Sequence, residues 1–435
     1  MSDKSVDLII SGKWVVTVDP SNQVLYQHAV AIKDGKIVAI IPNDNIHSYQ
    51  TKEFIERPEH IIMPGLINAH THSPMTLMRG MADDLPLMEW LEKHIWPTEQ
   101  KWLGEEYVKI GSELAIAEMI RGGTTCFNDM YFFPGVTAKV AQQTGIRVMV
   151  GLITINFPTA WAQNGQEYLA KGIEEYKKYQ NGSTVHWSLA PHAPYTVTDE
   201  LFEATNQLSK ECRNLKVHLH LHETSGEIEQ SVQEFKIRPI ERIKQLGLLD
   251  QRLIAIHMTQ LLESEIGLLA DCQAHVVHCP QSNLKLASGF APIQQLLEAG
   301  VNVALGTDSA ASNNSLNMFA ELRCAALLAK GVAKNATALP AWQAIRMATI
   351  NGACALGVDQ LTGSIEIGKS ADLITVDMGQ LEQAPLYDPL SHLVYTCDRH
   401  QVCDLLVQGR LLLKERELKT IDYQRISQAC LSFTH

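Results

Sequence analysis

The chain has 435 residues, of which 46% are hydrophobic and 19% charged, and its formal net charge is −12. This composition is typical of a soluble globular enzyme and excludes a fibrous or disordered chain. The acidic balance argues against a nucleic acid or an anionic membrane as the main partner, because both need a basic surface.

Both ends of the chain have the pattern of short strands. Near the start, DLIISGKWVVTV and HAVAIKDGKIVAI carry apolar residues broken by turn residues, and Asp34-Gly35 predicts a tight hairpin because both residues tolerate positive φ. Residues 363–377 and 402–413 show the same pattern of short apolar segments separated by glycine turns. Neither end is large enough to bury a core alone. We therefore predict that residues 1–62 and 363–435 pair into one composite β-sandwich domain.

Residues 63–362 alternate strand and helix patterns, and we predict that they form the second domain. Helical patterns such as EEYVKIGSELAIAEMIRGG and APIQQLLEAG separate the strand candidates. Eight strand candidates begin at His60, Thr124, Ile146, Val185, Lys216, Leu253, Ala274 and Val301. Eight strand–helix alternations predict an α/β fold, a (β/α)8 TIM barrel, with a doubly wound open sheet as the alternative.

The cysteines and the apolar segments bear on the location of the protein. The nine cysteines are scattered from Cys126 to Cys430, with no Cys-x-x-Cys pair. A disulfide-stapled secreted domain would cluster them, so we expect free thiols in the cytoplasm. The first residues hold no apolar run typical of a signal peptide, and no stretch approaches ~20 uninterrupted apolar residues, so no membrane partner is expected.

Histidine and acidic residues stand at the predicted carboxyl ends of the strands. They are His70 and His72 on the first strand, His192 on the fourth, His220 and Glu223 on the fifth, His257 on the sixth, His278 on the seventh and Asp308 on the eighth. The carboxyl ends of barrel strands meet at one face, where catalytic loops gather. The pattern therefore predicts that these residues line one pocket.

His70 and His72 are spaced so that two imidazoles point to the same side of a strand and can reach one metal ion. Such a pair alone is weak evidence for a metal site, because two ordinary polar residues at a strand end have the same spacing. The candidate ligands on other strand ends favour the metal interpretation. A metal-free binding or scaffold protein would be expected to have lost a ligand.

The segment VHLHLHE places three more histidines on one face of the fifth strand, and the spacing does not decide among them. We favour His220 as a ligand, because Glu223 then follows as the strand ends. For His218 and His222 the preferred interpretation is a buried histidine that binds no metal. Asp308 follows the apolar strand VNVAL, and His257 could contact a water at the metal. Three histidines and one aspartate with an open position are typical of a catalytic metal site.

The sequence does not support a phosphate-binding loop or the zinc motifs of other enzyme families. Residues 363–370, GSIEIGKS, have the spacing of a phosphate-binding loop, but ADLITVD follows as a predicted strand where a helix is needed. The chain has no HExxH zinc motif, and the PCxxC signature of the small zinc deaminases is also absent.

The segments PGLINAHTHSPMTLMRGMADDLPLMEWL, APHAPY, HLHLHETSGE, SNLKLASGFAPI and GTDSAASNNSLNMF resemble the amidohydrolase superfamily. Within it, the chain is similar to the 5-methylthioadenosine/S-adenosylhomocysteine deaminase branch, near the triazine hydrolases. The resemblance covers almost the whole chain. It implies a (β/α)8 barrel, one divalent metal (zinc, with iron as the alternative), a small-molecule nucleoside substrate and a homo-oligomer.

The resemblance also assigns roles to residues that match the family motifs. His70, His72, His220 and Asp308 match the metal ligands. Binuclear relatives use a modified lysine after the fourth strand, and LAPHAPY has none, so one metal is expected.

The remaining roles concern proton transfer and substrate binding. Glu223 matches the proton shuttle, and His257 matches the residue that, with Asp308, orients the hydrolytic water. Glu99 matches a substrate carboxylate near the ribose hydroxyls. His192 matches a substrate-binding histidine, and Trp90 is expected to line the pocket.

These roles predict hydrolytic deamination at C6 of an adenine nucleoside or thioether: 5-methylthioadenosine, S-adenosylhomocysteine or adenosine. The same site could serve another aminated heterocycle, such as guanine, a pterin, cytosine or a triazine. Relatives often place an arginine in the segment after the third strand, but residues 151–180 contain none. This departure puts in doubt how the amino-acid carboxylate of S-adenosylhomocysteine would be held.

Overall fold

The computed structural model describes residues 4–179 and 183–433. Its strands are β1 (Ser5–Val16), β2 (Val24–Lys33), β3 (Lys36–Pro42), β4 (Gln50–Pro64), β5 (Leu66–Thr71), β6 (Thr124–Tyr131), β7 (Arg147–Thr154), β8 (Val185–Pro191), β9 (Val217–Leu221), β10 (Leu253–His257), β11 (His275–His278), β12 (Asn302–Leu305), β13 (Leu373–Asp377), β14 (Val402–Val407), β15 (Arg410–Lys414) and β16 (Glu417–Leu418).

Its helices are α1 (Leu87–Trp90), α2 (Trp96–Trp102), α3 (Glu105–Arg121), α4 (Pro134–Thr144), α5 (Gly165–Lys178), α6 (Asp199–Glu211), α7 (Ser225–Phe235), α8 (Pro239–Gln245), α9 (Glu263–Asp271), α10 (Pro280–Lys285), α11 (Ile293–Glu298), α12 (Met318–Ala333), α13 (Ala341–Met347), α14 (Ile350–Leu356), α15 (Pro389–Tyr395) and α16 (Tyr423–Cys430). A π-helical turn, Leu91–Ile95, joins α1 to α2. Within residues 4–179 and 183–433, no helix is both long enough and apolar enough to cross a bilayer.

The two ends of the chain form one eight-stranded sheet in the order β16-β15-β14-β13-β4-β1-β2-β3. The antiparallel pairing of β4 with β13 joins the two ends, with Ile62 opposite Thr375. At the predicted hairpin between β2 and β3, Asp34 and Gly35 have φ of 51° and 74°. Both angles are positive, as a tight two-residue hairpin requires. The prediction that the ends pair with each other is confirmed.

The middle of the chain forms a nearly closed barrel of eight parallel strands, β5 to β12 in sequence order. The first and last strands meet where the backbone N–H of Asp308 donates to the carbonyl of His70 at 3.0 Å. A Cβ atom at Gly306 would lie 2.8 Å from the backbone nitrogen of His70, so only glycine permits this approach. Every residue of β6 and β7 is buried. Burial on both faces explains the nearly continuous apolar sequence of β7.

Two predicted strand segments differ from the structure. The first barrel strand was expected from His60, but His60 lies in β4 opposite Asp377, and the barrel begins at Leu66. The break falls at Gly65, whose N–H donates to Asp372 of the end sheet at 3.0 Å. Residues 363–372 were expected in a strand, which begins only at Leu373. A strand therefore follows the GSIEIGKS segment, which agrees with its exclusion as a phosphate loop.

The segment from α1 through the π-helical turn to α2 packs near the carboxyl ends of the barrel strands. Its Trp90 and Ile95 belong to an apolar cluster that also contains Tyr131 and Phe132, at and just after the end of β6. This cluster is separate from the main core between the barrel and its helices. It places α1 and α2 beside the face on which catalytic loops gather.

Candidate metal centre and active site

Four potential metal ligands converge at the carboxyl ends of the barrel strands. The Nε2 atoms of His70 and His72 each lie 3.3 Å from Oδ1 of Asp308. Nε2 of His220 lies 3.3 Å from Nε2 of His70. The structure thus brings together the four predicted ligands, which come from β5, β9 and the turn after β12. His257 contributes a further nitrogen to the same group of donor atoms.

The ring orientation of each candidate histidine ligand is fixed through its second nitrogen. Nδ1 of His72 donates to the carbonyl of Met130 at 2.6 Å, and Nδ1 of His220 donates to the carbonyl of His192 at 2.7 Å. Nδ1 of His70 lies 2.8 Å from Nε2 of His218. Such partners fix the ring orientation of a metal-binding histidine and aim the other nitrogen at the metal.

Asp308 is held just as firmly. Its Oδ2 accepts the hydroxyls of Ser282 at 2.6 Å and Ser312 at 2.8 Å, and its Oδ1 accepts the N–H of Ser309 at 2.7 Å. Its φ of 61° is in the left-handed region, which non-glycine residues adopt rarely and often at functional sites. These contacts leave Oδ1 directed at the histidine nitrogens.

The protonation of the cluster fits a divalent cation. Burial lowers the pKa of His70 to about 4 and holds the pKa of His220 well below its ordinary value, whereas for His72 the adjacent Asp308 outweighs burial and raises the pKa. Burial would raise the pKa of Asp308, but the close approach of His70 and His72 holds that pKa well below the ordinary range. Neutral imidazoles and an ionised carboxylate are the forms that bind zinc-like metals.

Glu223 and His257 lie beside the cluster as a second pair of functional groups. Nε2 of His257 is 3.8 Å from Oε2 of Glu223, and Nδ1 of His257 donates to Oδ1 of Asn283 at 2.8 Å. This contact leaves Nε2 as the free basic nitrogen. The backbone of His257 has a φ of 75°. Burial raises the pKa of Glu223, which keeps a larger fraction of that carboxyl protonated at neutral pH.

A second buried carboxyl, Glu227, holds the backbone that carries Glu223. Its oxygens accept the N–H of His222 at 2.9 Å and that of Glu223 at 2.7 Å. Burial raises the pKa of Glu227 to about 8. Glu227 therefore fixes the turn at which β9 ends and α7 begins.

The cluster forms the floor of a cavity of about 740 Å³, which Glu223, His257, Glu99, His192 and Trp90 also line. The hydroxyl of Tyr131 donates to Oε1 of Glu99 at 2.7 Å, and burial raises the pKa of Glu99 to about 7.

Three further histidines of the barrel strands supply no atom to the donor cluster. Nε2 of His218 contacts Nδ1 of His70, which is not the donor nitrogen of that residue. Nε2 of His222 accepts the N–H of Ile240 at 3.0 Å. Both thus bind protein groups, as expected. His278 was expected to line the pocket, but it is buried away from the cavity. It is the last residue of β11, and neither of its ring nitrogens has a hydrogen-bond partner among the described residues.

Several residues of the site were not predicted from the sequence. Ser282 and Asn283 lie in the segment SNLKLASGFAPI and within α10, the helix that follows β11, so their place shortly after a barrel strand was a usable signal. Glu227 ends a Thr-x-x-Glu pattern that begins at Thr224, the residue before α7, and such a pattern at a helix start was a usable signal. Tyr131 ends a continuous buried strand and gave no signal of its own.

The fold and the donor cluster together define a parallel (β/α)8-barrel protein with a potential metal-binding centre as its candidate active site. The sequence model of the amidohydrolase family matches residues 61–412. The chain therefore belongs to the amidohydrolase family, which confirms the resemblance inferred from its motifs.

Relatives match nearly the whole chain. A 5-methylthioadenosine/S-adenosylhomocysteine deaminase of Saccharophagus degradans is 47% identical, covering 99% of this chain and 97% of the relative. A 5′-deoxyadenosine deaminase of Methanosarcina mazei is 39% identical, with 97% and 96% covered. A crystal structure of an adenosine deaminase from Xanthomonas campestris with bound zinc is 49% identical, covers 99% of this chain and 98% of that one, and has a TM-score of 0.97.

Proposed function

We propose that the protein is a hydrolytic deaminase of adenine nucleosides. It would replace the C6 amino group of adenosine, 5-methylthioadenosine or S-adenosylhomocysteine by oxygen, and release ammonia and the inosine analogue. The observation that carries this proposal is the position of Glu223 and His257 beside four convergent metal donors, inside one cavity. The names of the relatives from Saccharophagus degradans and Xanthomonas campestris support the same class of substrate.

We propose zinc as the metal, held by His70, His72, His220 and Asp308. The zinc in the structure from Xanthomonas campestris supports this choice, and the nitrogen and carboxylate donors also suit iron. When bound, a divalent metal lowers the pKa of a coordinated water toward ~7 and so supplies a nucleophile at neutral pH.

The side chains beside the metal carry out the proton transfers. His257, with Nε2 free, and the ionised Asp308 orient the water and accept its proton. The carboxyl of Glu223 donates a proton to N1 of the adenine ring, which makes C6 electrophilic. The water oxygen then bonds to C6. A proton relayed to the amino nitrogen allows the C6–N bond to break and ammonia to leave.

Other groups of the cavity would orient the nucleoside. The carboxylate of Glu99 accepts hydrogen bonds from the ribose hydroxyls. His192, whose pKa burial lowers to about 3, is a neutral imidazole that hydrogen-bonds the substrate. Trp90 contributes an apolar wall against which the nucleoside packs.

A substrate panel tests the proposal. Zinc-loaded protein is assayed for ammonia release and ultraviolet absorbance change with adenosine, 5-methylthioadenosine, S-adenosylhomocysteine, guanine, cytosine, a pterin and a triazine. We expect turnover of the adenine nucleosides only. Turnover of another heterocycle, without any of the adenine nucleosides, would contradict the proposal. Less than a few tenths of an equivalent of metal, with no activity after reloading, would instead indicate a binding protein.

A further inference from the structure

We propose that the part of the cavity facing the 5′ position of the nucleoside accepts uncharged, apolar substituents and rejects the charged amino-acid tail of S-adenosylhomocysteine. This inference rests on the proposed deaminase function and narrows its substrate class. The protein would then act on 5-methylthioadenosine and similar neutral nucleosides.

The position of the 5′ substituent follows from the polar groups of the cavity. The ring must reach Glu223 and His257, and the ribose hydroxyls must reach Glu99. What remains for the 5′ substituent is an aliphatic and aromatic wall that includes Leu87, Trp96, Ile155, Phe157 and Leu286. A methylthio group buries apolar surface there and loses no hydrogen bond.

No lysine or arginine lines this cavity in residues 4–179 and 183–433. Lys285 adjoins the lining residue Leu286, but its ammonium donates to Asp83 at 2.5 Å and to the side-chain oxygen of Asn314 at 2.6 Å. Arg79, after the turn that follows β5, pairs with Glu118. Both cations are thus committed to other partners.

A second groove adjoins the cavity and shares Trp96, Phe157 and Tyr195 with it. Arg242 lines this groove but is only 4% exposed. Its Nε donates to Asp199 at 2.7 Å, and its Nη1 and Nη2 donate to the carbonyls of Pro194 at 2.7 Å and Val197 at 3.1 Å. Three of its five N–H donors are therefore already bonded within the protein, and its charge is paired with Asp199.

The other charged residues of the groove are acidic. Glu200 and Glu234 line it, and Asp199 is paired with Arg242, so an α-carboxylate that extended from the cavity would meet no unpaired cation among the described residues of the groove. In the cavity itself, the same carboxylate would lose water without gaining a counter-charge. A site that leaves a charged group unpaired discriminates strongly against the ligand that carries it.

The test compares kcat/KM of the zinc-loaded protein for four nucleosides. They are 5-methylthioadenosine, 5′-butylthio-5′-deoxyadenosine, S-adenosylhomocysteine and adenosine. The butyl thioether has the tail length of S-adenosylhomocysteine without its charges. We expect the two neutral thioethers to agree within about tenfold, and S-adenosylhomocysteine to be at least about 100-fold poorer than the butyl thioether.

Two results would overturn the inference. One is a kcat/KM for S-adenosylhomocysteine that lies within tenfold of the value for a well-used butyl thioether. The other is a kcat/KM for the butyl thioether that is as low as the value for S-adenosylhomocysteine, because the length of the tail would then explain the rejection. Failure of the proposed deaminase function gives a different result, because adenosine and both neutral thioethers would then release no ammonia.

A substitution in the segment after β7 tests the electrostatic cause. Phe157→Arg places a cation on the shared wall, and Phe157→Leu is the matched apolar control. For each variant, the readout is the kcat/KM for S-adenosylhomocysteine divided by the kcat/KM for the butyl thioether. We expect this ratio to be at least about tenfold higher in Phe157→Arg than in Phe157→Leu. An equal ratio of the two substrates in both variants would overturn the assignment of the discrimination to the missing cation.

Discussion

A buried ion pair joins the barrel to the sheet of the chain ends, and its removal has a predictable cost. Nε of Arg147, the first residue of β7, donates to Oδ2 of Asp372 at 2.9 Å, and both side chains are at most 1% exposed. Oδ1 of Asp372 also accepts the hydroxyl of Ser370 and the N–H of Gln408. Asp372→Asn keeps the shape of the side chain but leaves the guanidinium buried without its counter-charge.

Breaking a buried pair by removing one partner costs about 3–5 kcal/mol. An unfolding entropy of about 2.1 cal/mol/K per residue amounts to roughly 0.9 kcal/mol/K for 435 residues. Asp372→Asn should therefore lower the thermal midpoint by about 3–6 °C, if the chain unfolds as one unit.

Scanning calorimetry of the zinc-loaded protein measures this shift, with Glu417→Gln as the control. That substitution breaks an ion pair between Glu417 and Lys419. The Glu417 side chain is 77% exposed, so the thermal midpoint should stay near the wild-type value. The kcat of Asp372→Asn should stay near the wild-type value, because β7 begins at the face of the barrel opposite the candidate site. A midpoint within 1 °C of wild type would refute the reasoning.

Three further predictions concern the candidate site. As pH falls through about 7, Glu99 gains a proton and loses its charge, so KM should rise; pH profiles of KM should show this rise in the wild type and not in Glu99→Gln. Asn283→Ala frees Nδ1 of His257, so kcat should fall by about tenfold or more with little change in KM, and an unchanged kcat in steady-state kinetics would contradict the positioning. Glu227→Ala leaves two buried N–H groups unpaired at about 1–3 kcal/mol each and should lower both the thermal midpoint and kcat, whereas a change in neither would show that Glu227 does not hold the turn.

The barrel and its candidate ligands were predictable because both depend on local patterns. Continuous apolar strands alternate with helices, and a histidine or acidic residue follows each of several strands. The convergence of His70, His220 and Asp308 then follows from barrel geometry, since carboxyl ends of parallel strands meet at one face.

Contacts between distant residues were not predictable from one sequence. Arg147 and Asp372 are 225 residues apart, and neither lies in a motif that indicates a partner. The division of residues 60–71 between two sheets is set by the pairing of β4 with β13, which local periodicity does not reveal. His278 has the same place at a strand end as the ligands, but it does not line the cavity, and a single sequence does not show which strand-end residues do.

The most direct test of the central claim is the turnover of Glu223→Gln with its metal content measured on the same sample. The substitution keeps the size of the side chain and removes the proton that it would donate to the ring. We predict wild-type metal content with a fall in kcat for 5-methylthioadenosine of at least about 100-fold. Near wild-type turnover at full metal occupancy would contradict the proposed mechanism.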